Sequence, residues 1–435
     1  MENNKKINPR ALALEVLGRC EAGGYSNIAL DTAIKRNNLS SSDRAFFTAL
    51  VYGVIERKIT LDYIIASLSS IPNSKIEKDT RNILRMGLYQ LKYMKKVPDF
   101  AALNETVSLA NKRSKGFVNA ILRSYLREGD KIKFPQKTDR VKYLSVTYSV
   151  GEALVCSLLD AYSFEECEKM LSAFEESSHM TLRVNNLKAS REELLTEIEG
   201  AIATKYSPDG ILIENGAVSE LEHLSDGRVT VQDEASQICV RALGAVAGDT
   251  VLDVCACPGS KSFGAAMTMN NEGKILAFDI HENKLSLVKS GAERLGISII
   301  STQAHDARQP VEELLDKADK IVCDVPCSGF GVIGKKPEIR YKDPKDSARL
   351  PEIQLDILKN VSKYLKVGGT LVYSTCTILP DENENVVNAF LEENSNFTLV
   401  PFSVGELEVK DGMITLLPHI HNTDGFFMAK LLRKS

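Results

Sequence analysis

The chain has no run of about 18 apolar residues, so no helix is expected to span a membrane. Its start, Met1-Glu2-Asn3-Asn4-Lys5-Lys6, lacks the apolar stretch of a signal peptide. A cytoplasmic protein with no membrane partner is therefore expected, in a compartment where thiols stay reduced. The nine cysteines are odd in number and scattered, which does not suit a disulfide framework. The C-x₂-C pairs and spaced histidines of zinc sites are missing too, and no metal is expected. A full G-x-G-x-x-G is absent, which makes a nicotinamide dinucleotide a weaker guess than another adenosyl cofactor. There is no internal repeat and no low-complexity tract.

What is present fits a soluble chain of more than one domain. Its 435 residues are 43% hydrophobic and 26% charged. The net charge of −4 hides an asymmetry: residues 1–133 hold 23 Lys and Arg against 13 Asp and Glu, and the rest of the chain is acidic. A basic module joined to an acidic one suggests contact with a polyanion, although an ordinary solvated surface can carry the same charge.

Residues 8–128 show apolar positions at three- and four-residue spacing, the pattern of an all-α bundle. Ser41, Ser42 and Asp43 are placed to cap a helix start. Lys112, Arg113 and Lys115 form a basic cluster at another, where backbone N–H groups and fixed cations can hold phosphate. Phe134-Pro135 breaks the pattern, and residues 145–240 read as a small α+β domain. From 241 onward, strand-like runs alternate with helices: Thr250–Val254, Lys274–Asp279, Ile299–Gln303, Lys320–Asp324 and Thr370–Thr375. This predicts a parallel, doubly wound α/β sheet, with Met413–Leu417 and Phe426–Leu432 as a final antiparallel pair. Ligands of such sheets bind beyond the carboxyl ends of the strands. Asp253, Asp279, Asp306, Asp324 and Cys376 lie at or just past those ends.

Three motifs carry chemistry. In Asp253-Val-Cys-Ala-Cys-Pro-Gly-Ser-Lys261, Gly259 permits a tight turn and close approach to a ligand, and Asp279 ends the next strand, where an acid can accept from ribose hydroxyls. In Asp324-Val-Pro-Cys-Ser-Gly329, Pro326 fixes the backbone before Cys327. The third is Tyr373-Ser-Thr-Cys-Thr377, followed by Asp381-Glu-Asn-Glu384. A free cysteine is commonly a small hydrophobe. That reading suits Cys20, Cys156, Cys167, Cys239 and Cys323, but not two thiols at the ligand edge. A thiol pair fits covalent catalysis at carbon 5 of a pyrimidine: a thiolate adding to carbon 6 makes carbon 5 nucleophilic toward a methyl group. Asp324 can hydrogen-bond the exocyclic amine and N3 of a protonated or polarised ring. The residues alone leave open which thiol is the nucleophile.

These motifs, with Gly331-Val-Ile-Gly-Lys-Lys-Pro-Glu-Ile-Arg-Tyr341 and Gln232-Asp-Glu-Ala-Ser236, resemble the RNA 5-methylcytosine methyltransferases of the NOL1/NOP2/Sun family. Residues 1–133 look like a NusB-type RNA-binding domain. The resemblance implies a Rossmann-like methyltransferase domain over 241–435, S-adenosylmethionine as cofactor and 16S ribosomal RNA as partner, in a chain expected to be monomeric. By motif position it puts Cys255, Ala256, Cys257, Pro258, Gly259, Ser260, Lys261, Asp279, Asp306 and Asp324 at the cofactor. It makes Cys376 the nucleophile, with Cys327 assisting product release and Asp324 the third catalytic group. It adds Lys335, Lys336 and Arg340 to Lys112, Arg113 and Lys115 as RNA contacts. Cys257 and Ser260 stand where the family usually has Ala and Gly, and the Cβ of Ser260 is expected to strain the turn. Tyr341 replaces a common tryptophan and keeps a ring for stacking. The competing readings are an RNA chaperone with a vestigial catalytic half and a DNA methyltransferase, the latter disfavoured by the Cys376 motif.

Overall fold

The computed structural model of the chain describes residues 7–24, 26–176, 180–213 and 222–435; the polar start, residues 1–6, lies outside them. The chain forms two compact units, one of Met1–Glu168 and Lys336–Asp343, the other of Lys169–Lys335 and Pro344–Ser435. No single helix among the described residues is long and apolar enough to cross a membrane.

The first unit is helical. Its helices are α1 (Pro9–Glu21), α2 (Ser26–Arg36), α3 (Ser41–Glu56), α4 (Lys58–Leu68), α5 (Lys78–Tyr93), α6 (Asp99–Leu109), α7 (Lys115–Glu128), α8 (Arg140–Tyr148) and α9 (Glu152–Ala161). α1 starts with Pro9 in its first turn, and the Asn8 side chain accepts from the Arg10 N–H. α3 is capped by Ser40, one residue before the expected cap, whose hydroxyl accepts from the Asp43 N–H. α5 is central. Ile83, Leu84 and Leu88 pack with Leu61, Ile64, Ile65 and Leu122, while Met86 packs with Phe47, Leu50 and Val54. Arg85, on the same helix, is buried and holds Asp62 and Glu21 at 2.6 Å each. The expected domain start at 145 falls inside α8, which is tied to α4: Thr60 Oγ1 donates to the Val146 carbonyl, and the Ile59 N–H to Ser149 Oγ.

Residues 336–343 form a 3₁₀ turn seated in this helical unit. Arg340 is fully buried; it donates to the Tyr148 carbonyl at 2.9 Å and pairs with Glu56 at 3.3 Å. The Tyr341 hydroxyl reaches the Ile55 carbonyl at 2.5 Å and accepts from the Lys58 N–H. Arg340 was expected to touch RNA and Tyr341 to offer a stacking ring. Both are instead spent inside the helical unit, because a desolvated guanidinium is held only by groups that replace its water.

α10 (Phe164–Glu176) leads into the second unit. A four-stranded antiparallel sheet of order β2-β3-β1-β4 follows, from β1 (Met180–Val184), β2 (Ala201–Ala203), β3 (Gly210–Ile213) and β4 (Val229–Val231), with α11 (Arg191–Glu197) and α12 (Glu222–Ser225) beside it. Next come α13 (Glu234–Leu243), β5 (Thr250–Asp253), α14 (Ser260–Thr268), β6 (Lys274–Asp279), α15 (Leu285–Leu295), β7 (Ile300–Ala304), β8 (Ala318–Asp324), α16 (Leu350–Val361), β9 (Leu365–Thr375) and α17 (Glu384–Glu393). The chain ends with β10 (Phe397–Leu399), β11 (Phe402–Val404), β12 (Leu407–Val409), β13 (Met413–Leu416), α18 (Pro418–His421) and β14 (Phe426–Arg433). Strands β5 to β9 are parallel in the order 9-8-5-6-7, so the winding reverses between β5 and β8. β13 and β14 pair as expected, and β14 also pairs antiparallel with β9.

The inner parallel strands β5, β6, β8 and β9 are largely apolar because both faces are covered, whereas β7 at the sheet edge is polar and partly exposed. Val251, Ile275, Val322 and Val372 join the cluster of α13, α14 and α15. Leu252, Ile321, Cys323, Leu371 and Tyr373 join that of α16 and α17. β5 ends in Asp253, 1% exposed, which accepts from Ser262 Oγ at 2.6 Å. Burial pushes its carboxyl up to about 6.

Two outcomes follow. Arg340→Ala removes the buried partner of Glu56 and of the Tyr148 carbonyl; a loss of about 2–3 kcal/mol is expected in urea denaturation. The raised acid of Asp253 favours the protonated form in the folded state, so its contribution is present below about pH 4 and is lost as pH rises through about 6. Asp253→Asn should therefore stabilise the chain at pH 8 by about 3 kcal/mol and make little difference near pH 3.5, read from denaturation midpoints.

Candidate active site

The first wall of the site follows β5. After Asp253 the chain passes through Cys255, Ala256 and Cys257, then a cis Cys257–Pro258 bond, to Gly259 at φ +112°. A side chain at Gly259 would be strained by that φ and would meet the Phe263 ring at 2.5 Å. Ser260 opens α14 and has no positive φ, so its Cβ is accommodated and the expected strain does not arise. The left-handed position is one residue earlier than the family comparison suggested.

A cavity of about 520 Å³ opens beyond the carboxyl ends of β5, β6 and β8, beside the reversal of winding. Cys255, Cys257, Asp279, Asp306, Asp324, Cys327 and Cys376 all line it. Ala256, Pro258, Gly259, Ser260 and Lys261 do not; they build the turn behind the wall. Asp279 is fixed at both oxygens, by the Cys257 N–H at 3.2 Å and the His281 N–H at 2.8 Å. Asp306 is held by the side chain and backbone of Arg308, and the guanidinium lowers its carboxyl from the usual range. Burial, then Asp279, pushes the Cys257 thiol up to about 12. Burial, then Asp253, raises Cys255 further. These two thiols are poor nucleophiles at neutral pH.

Several linings had no place in the sequence reading, among them His281, Lys284, His305 and Arg308 and two apolar residues. Ile280, 57% exposed, lies on the cavity directly after Asp279; an apolar residue following a strand-end acid was the available signal. Ile353 of α16 adds a second apolar contact from a helix that no motif marked.

Asp324 ends β8 in a fixed orientation. One oxygen accepts from Lys261 Nζ at 2.6 Å, the other from Ser374 Oγ at 2.7 Å. Lys261 is itself buried; burial alone would lower its ammonium, yet Asp324 beside it leaves it raised and charged. Asp324 thus stands as a paired carboxylate facing the cavity.

The sulfurs of Cys327 and Cys376 are 3.2 Å apart. The Cys376 N–H also points at the Cys327 sulfur, at 3.3 Å. The contact with Cys376, then burial, then the negative field of Glu382 and Asp324 keep the Cys327 thiol protonated. Behind them, the Gly331 N–H donates to the Cys376 carbonyl, and the Gly425 N–H to the Gly331 carbonyl. A side chain at Gly331 would fall 1.9 Å from the Gly425 oxygen, so only glycine lets these segments meet.

The expected RNA contacts divide. Lys112, Arg113 and Lys115 are exposed at the start of α7, where Asn111 Oδ1 orders the turn. Lys336 is exposed as well. Lys335 is not free: it bridges Asp233 at 2.6 Å and Asp424 at 2.8 Å. It latches its loop to the cap of α13 and to the turn before β14, partners far away in sequence. Cys156, read as a buried hydrophobe, is exposed.

Comparison with known proteins agrees with this arrangement. Residues 240–432 match the family profile of the 16S rRNA methyltransferases RsmB/F, residues 7–127 match the NusB family, and residues 152–219 match the ferredoxin-like domain of RsmF/B-like methyltransferases. The chain is 41% identical to the probable ribosomal RNA small subunit methyltransferase B of Bacillus subtilis, over 99% of this chain and 100% of that one. It is 32% identical to the ribosomal RNA small subunit methyltransferase B of Escherichia coli, again over 99% and 100%. The crystal structure of PH0851 superposes with a TM-score of 0.79 at 26% identity, covering 99% of this chain and all of that one. Helical NusB domain, linking sheet and Rossmann-like catalytic sheet occur here in the same order, and the chain belongs to the RsmB/F family of methyltransferases.

Proposed function

We propose that this enzyme methylates carbon 5 of a cytosine in 16S ribosomal RNA through a covalent bond between Cys376 and carbon 6. The observation that carries the reading is the pair of sulfurs 3.2 Å apart on the wall of the strand-end cavity. An acyl or phosphoryl transfer needs no second thiol; a reversible addition to a pyrimidine has work for both. The family and its relatives, named for small-subunit ribosomal RNA, support the substrate. The cytoplasm is the matching location.

The cavity suits S-adenosylmethionine. Its volume, the fixed acceptor at Asp279 and the apolar flank at Ile280 and Ile353 fit an adenosyl group, while Asp306 and Asp324 face the same space. When bound, this cofactor supplies an electrophilic methyl group.

The chain's own groups account for the remainder. The target cytosine leaves its stack to reach the thiols. Asp324, held by Lys261 and Ser374 and facing the cavity, can accept from the exocyclic amine and from N3–H once N3 is protonated. By motif position the nucleophilic sulfur is that of Cys376, which as thiolate bonds carbon 6 while the electrons of the ring double bond shift toward carbon 5; Cys327 keeps its proton through this step. Once Cys376 is a thioether its contact with the Cys327 thiol weakens, and with it the chief cause that raises the Cys327 pKa. Cys327 then loses its proton to solvent and its sulfur can accept the carbon-5 proton. The electrons of that C–H bond restore the ring double bond as the carbon–sulfur bond breaks, returning Cys376 as thiolate.

Cys376→Ala should reduce tritium transfer to 16S RNA at least about a thousandfold, and turnover like that of the parent chain would refute the nucleophile. Cys327→Ala should trap a protein–RNA adduct that survives denaturing electrophoresis; normal release without an adduct would contradict the division of labour. Removing Lys112 and Arg113 together should weaken RNA binding uniformly across sequences. It should also reduce the slope of log affinity against log salt by about 0.7–1 per residue, read by filter binding.

A further inference from the structure

Cys327 stands on a loop whose two flanking peptide groups are both tied to one buried couple. Glu382, 3% exposed, accepts from the Ser328 N–H at 3.0 Å with one carboxylate oxygen. The same oxygen accepts from Gln354 Nε2 at 2.8 Å. Gln354, on α16 and wholly buried, donates with that nitrogen to the Pro326 carbonyl at 2.9 Å. The carbonyl before Cys327 and the N–H after it are thereby fixed from one side. On the other side Ser328 Oγ meets Thr377 Oγ1 at 2.9 Å, which binds the Cys327 loop to the Cys376 turn. The Tyr373 hydroxyl closes the set on the Glu382 carbonyl at 2.7 Å.

A buried carboxylate is costly unless its hydrogen bonds are made, and a leucine or glutamine pair would fill this volume without that cost. Its position therefore calls for a use. Neither Glu382 nor Gln354 lines the cavity, so the couple acts on Cys327 from behind its wall.

We propose that Glu382 and Gln354 are positioning residues: they aim the Cys327 sulfur at Cys376, and so govern release of the methylated base rather than methyl transfer. This rests on the assignment of release to Cys327 made above. The charge of Glu382 also acts on the thiol directly. The groups that face Cys327 are Cys376 after β9, Glu382 in the turn before α17, Asp324 at the end of β8 and the Tyr373 hydroxyl; Asp324 is already offset by Lys261. Neutralising Glu382 should thus make Cys327 easier to ionise.

The test uses the full chain in two variants. Glu382→Gln removes the charge and keeps the shape, whereas Gln354→Met keeps the charge and removes the link to Pro326. Circular dichroism melting identifies any variant that fails to fold, and the other then carries the test. In single turnovers with 16S RNA, methyl incorporation should stay within about threefold of the parent in both variants, while decay of the denaturant-resistant adduct should slow on the order of tenfold in Gln354→Met and by less, about threefold, in Glu382→Gln, where easier ionisation of Cys327 works against the lost aim. Equal slowing of both steps, or no change in either, would overturn the proposal. A second readout is independent of catalysis. In a Cys376→Ser background, the pH midpoint for iodoacetamide alkylation of Cys327, followed on its peptide by mass spectrometry, should move lower with Glu382→Gln; an unmoved midpoint removes Glu382 from the role. If Cys327→Ala traps no adduct but this midpoint still moves, the assignment of release to Cys327 is what fails.

Discussion

The parallel register of β8 on β9 is the constraint on which the site depends. It sets Cys323 opposite Tyr373 and Asp324 opposite Ser374. From that rung the chain advances three residues to Cys327 on one strand and two to Cys376 on the other, and the sulfurs meet. A slip of one residue would turn the side chains of a strand to the opposite face of the sheet. Asp324 would lose Ser374, and Tyr373 would leave the α16 and α17 layer. The apolar layers on both faces hold the register, because Val322 and Val372 belong to one core and Cys323 and Tyr373 to the other. Packing far from the chemistry thus sets a distance within it.

Buried polar groups around this rung divide the labour. Asp253, Lys261 and Ser374 are buried around the half-buried Asp324, and Ser328, Gln354, Glu382 and Asn383 are buried around the two thiol loops. Almost every one is satisfied by a side chain from a different element, as a desolvated network must be. Such a network does not tolerate partial assembly. It makes the geometry of the thiols a property of the folded second unit as a whole rather than of the two loops that carry them.

Much of this was legible in the sequence, and the reasons differ by element. β5, β6, β8 and β9 announced themselves because burial on both faces leaves apolar runs, while the polar edge strand β7 was read from its place in the alternation. The strand-end residues Asp279, Asp324, Cys327 and Cys376 followed from topology alone, since ligands collect at that edge. Three-residue strands such as β10, β11 and β12 gave no pattern long enough to read. The second pairing of β14 is a choice of neighbour that local sequence does not encode. Charge was the least transparent signal. Lys335 and Arg340 stand in a motif that resembles an RNA-facing stretch, yet their partners Asp233, Asp424 and Glu56 lie elsewhere in the chain. Ser260 misled for a local reason: the left-handed backbone belongs to Gly259, and helical geometry begins with the serine.

The course of the chain between Lys335 and Pro344 has a bearing on ancestry and engineering. Eight residues of the first unit are encoded inside the second, with Ile339, Arg340 and Tyr341 among them. Neither unit can be lifted out of the gene as one uninterrupted stretch. A fragment ending at Glu168 would lack its own internal guanidinium, and a fragment beginning at Lys169 would carry that guanidinium with nothing to receive it. Shuffling this catalytic half onto another RNA-binding front end would require redesigning the eight-residue excursion as well.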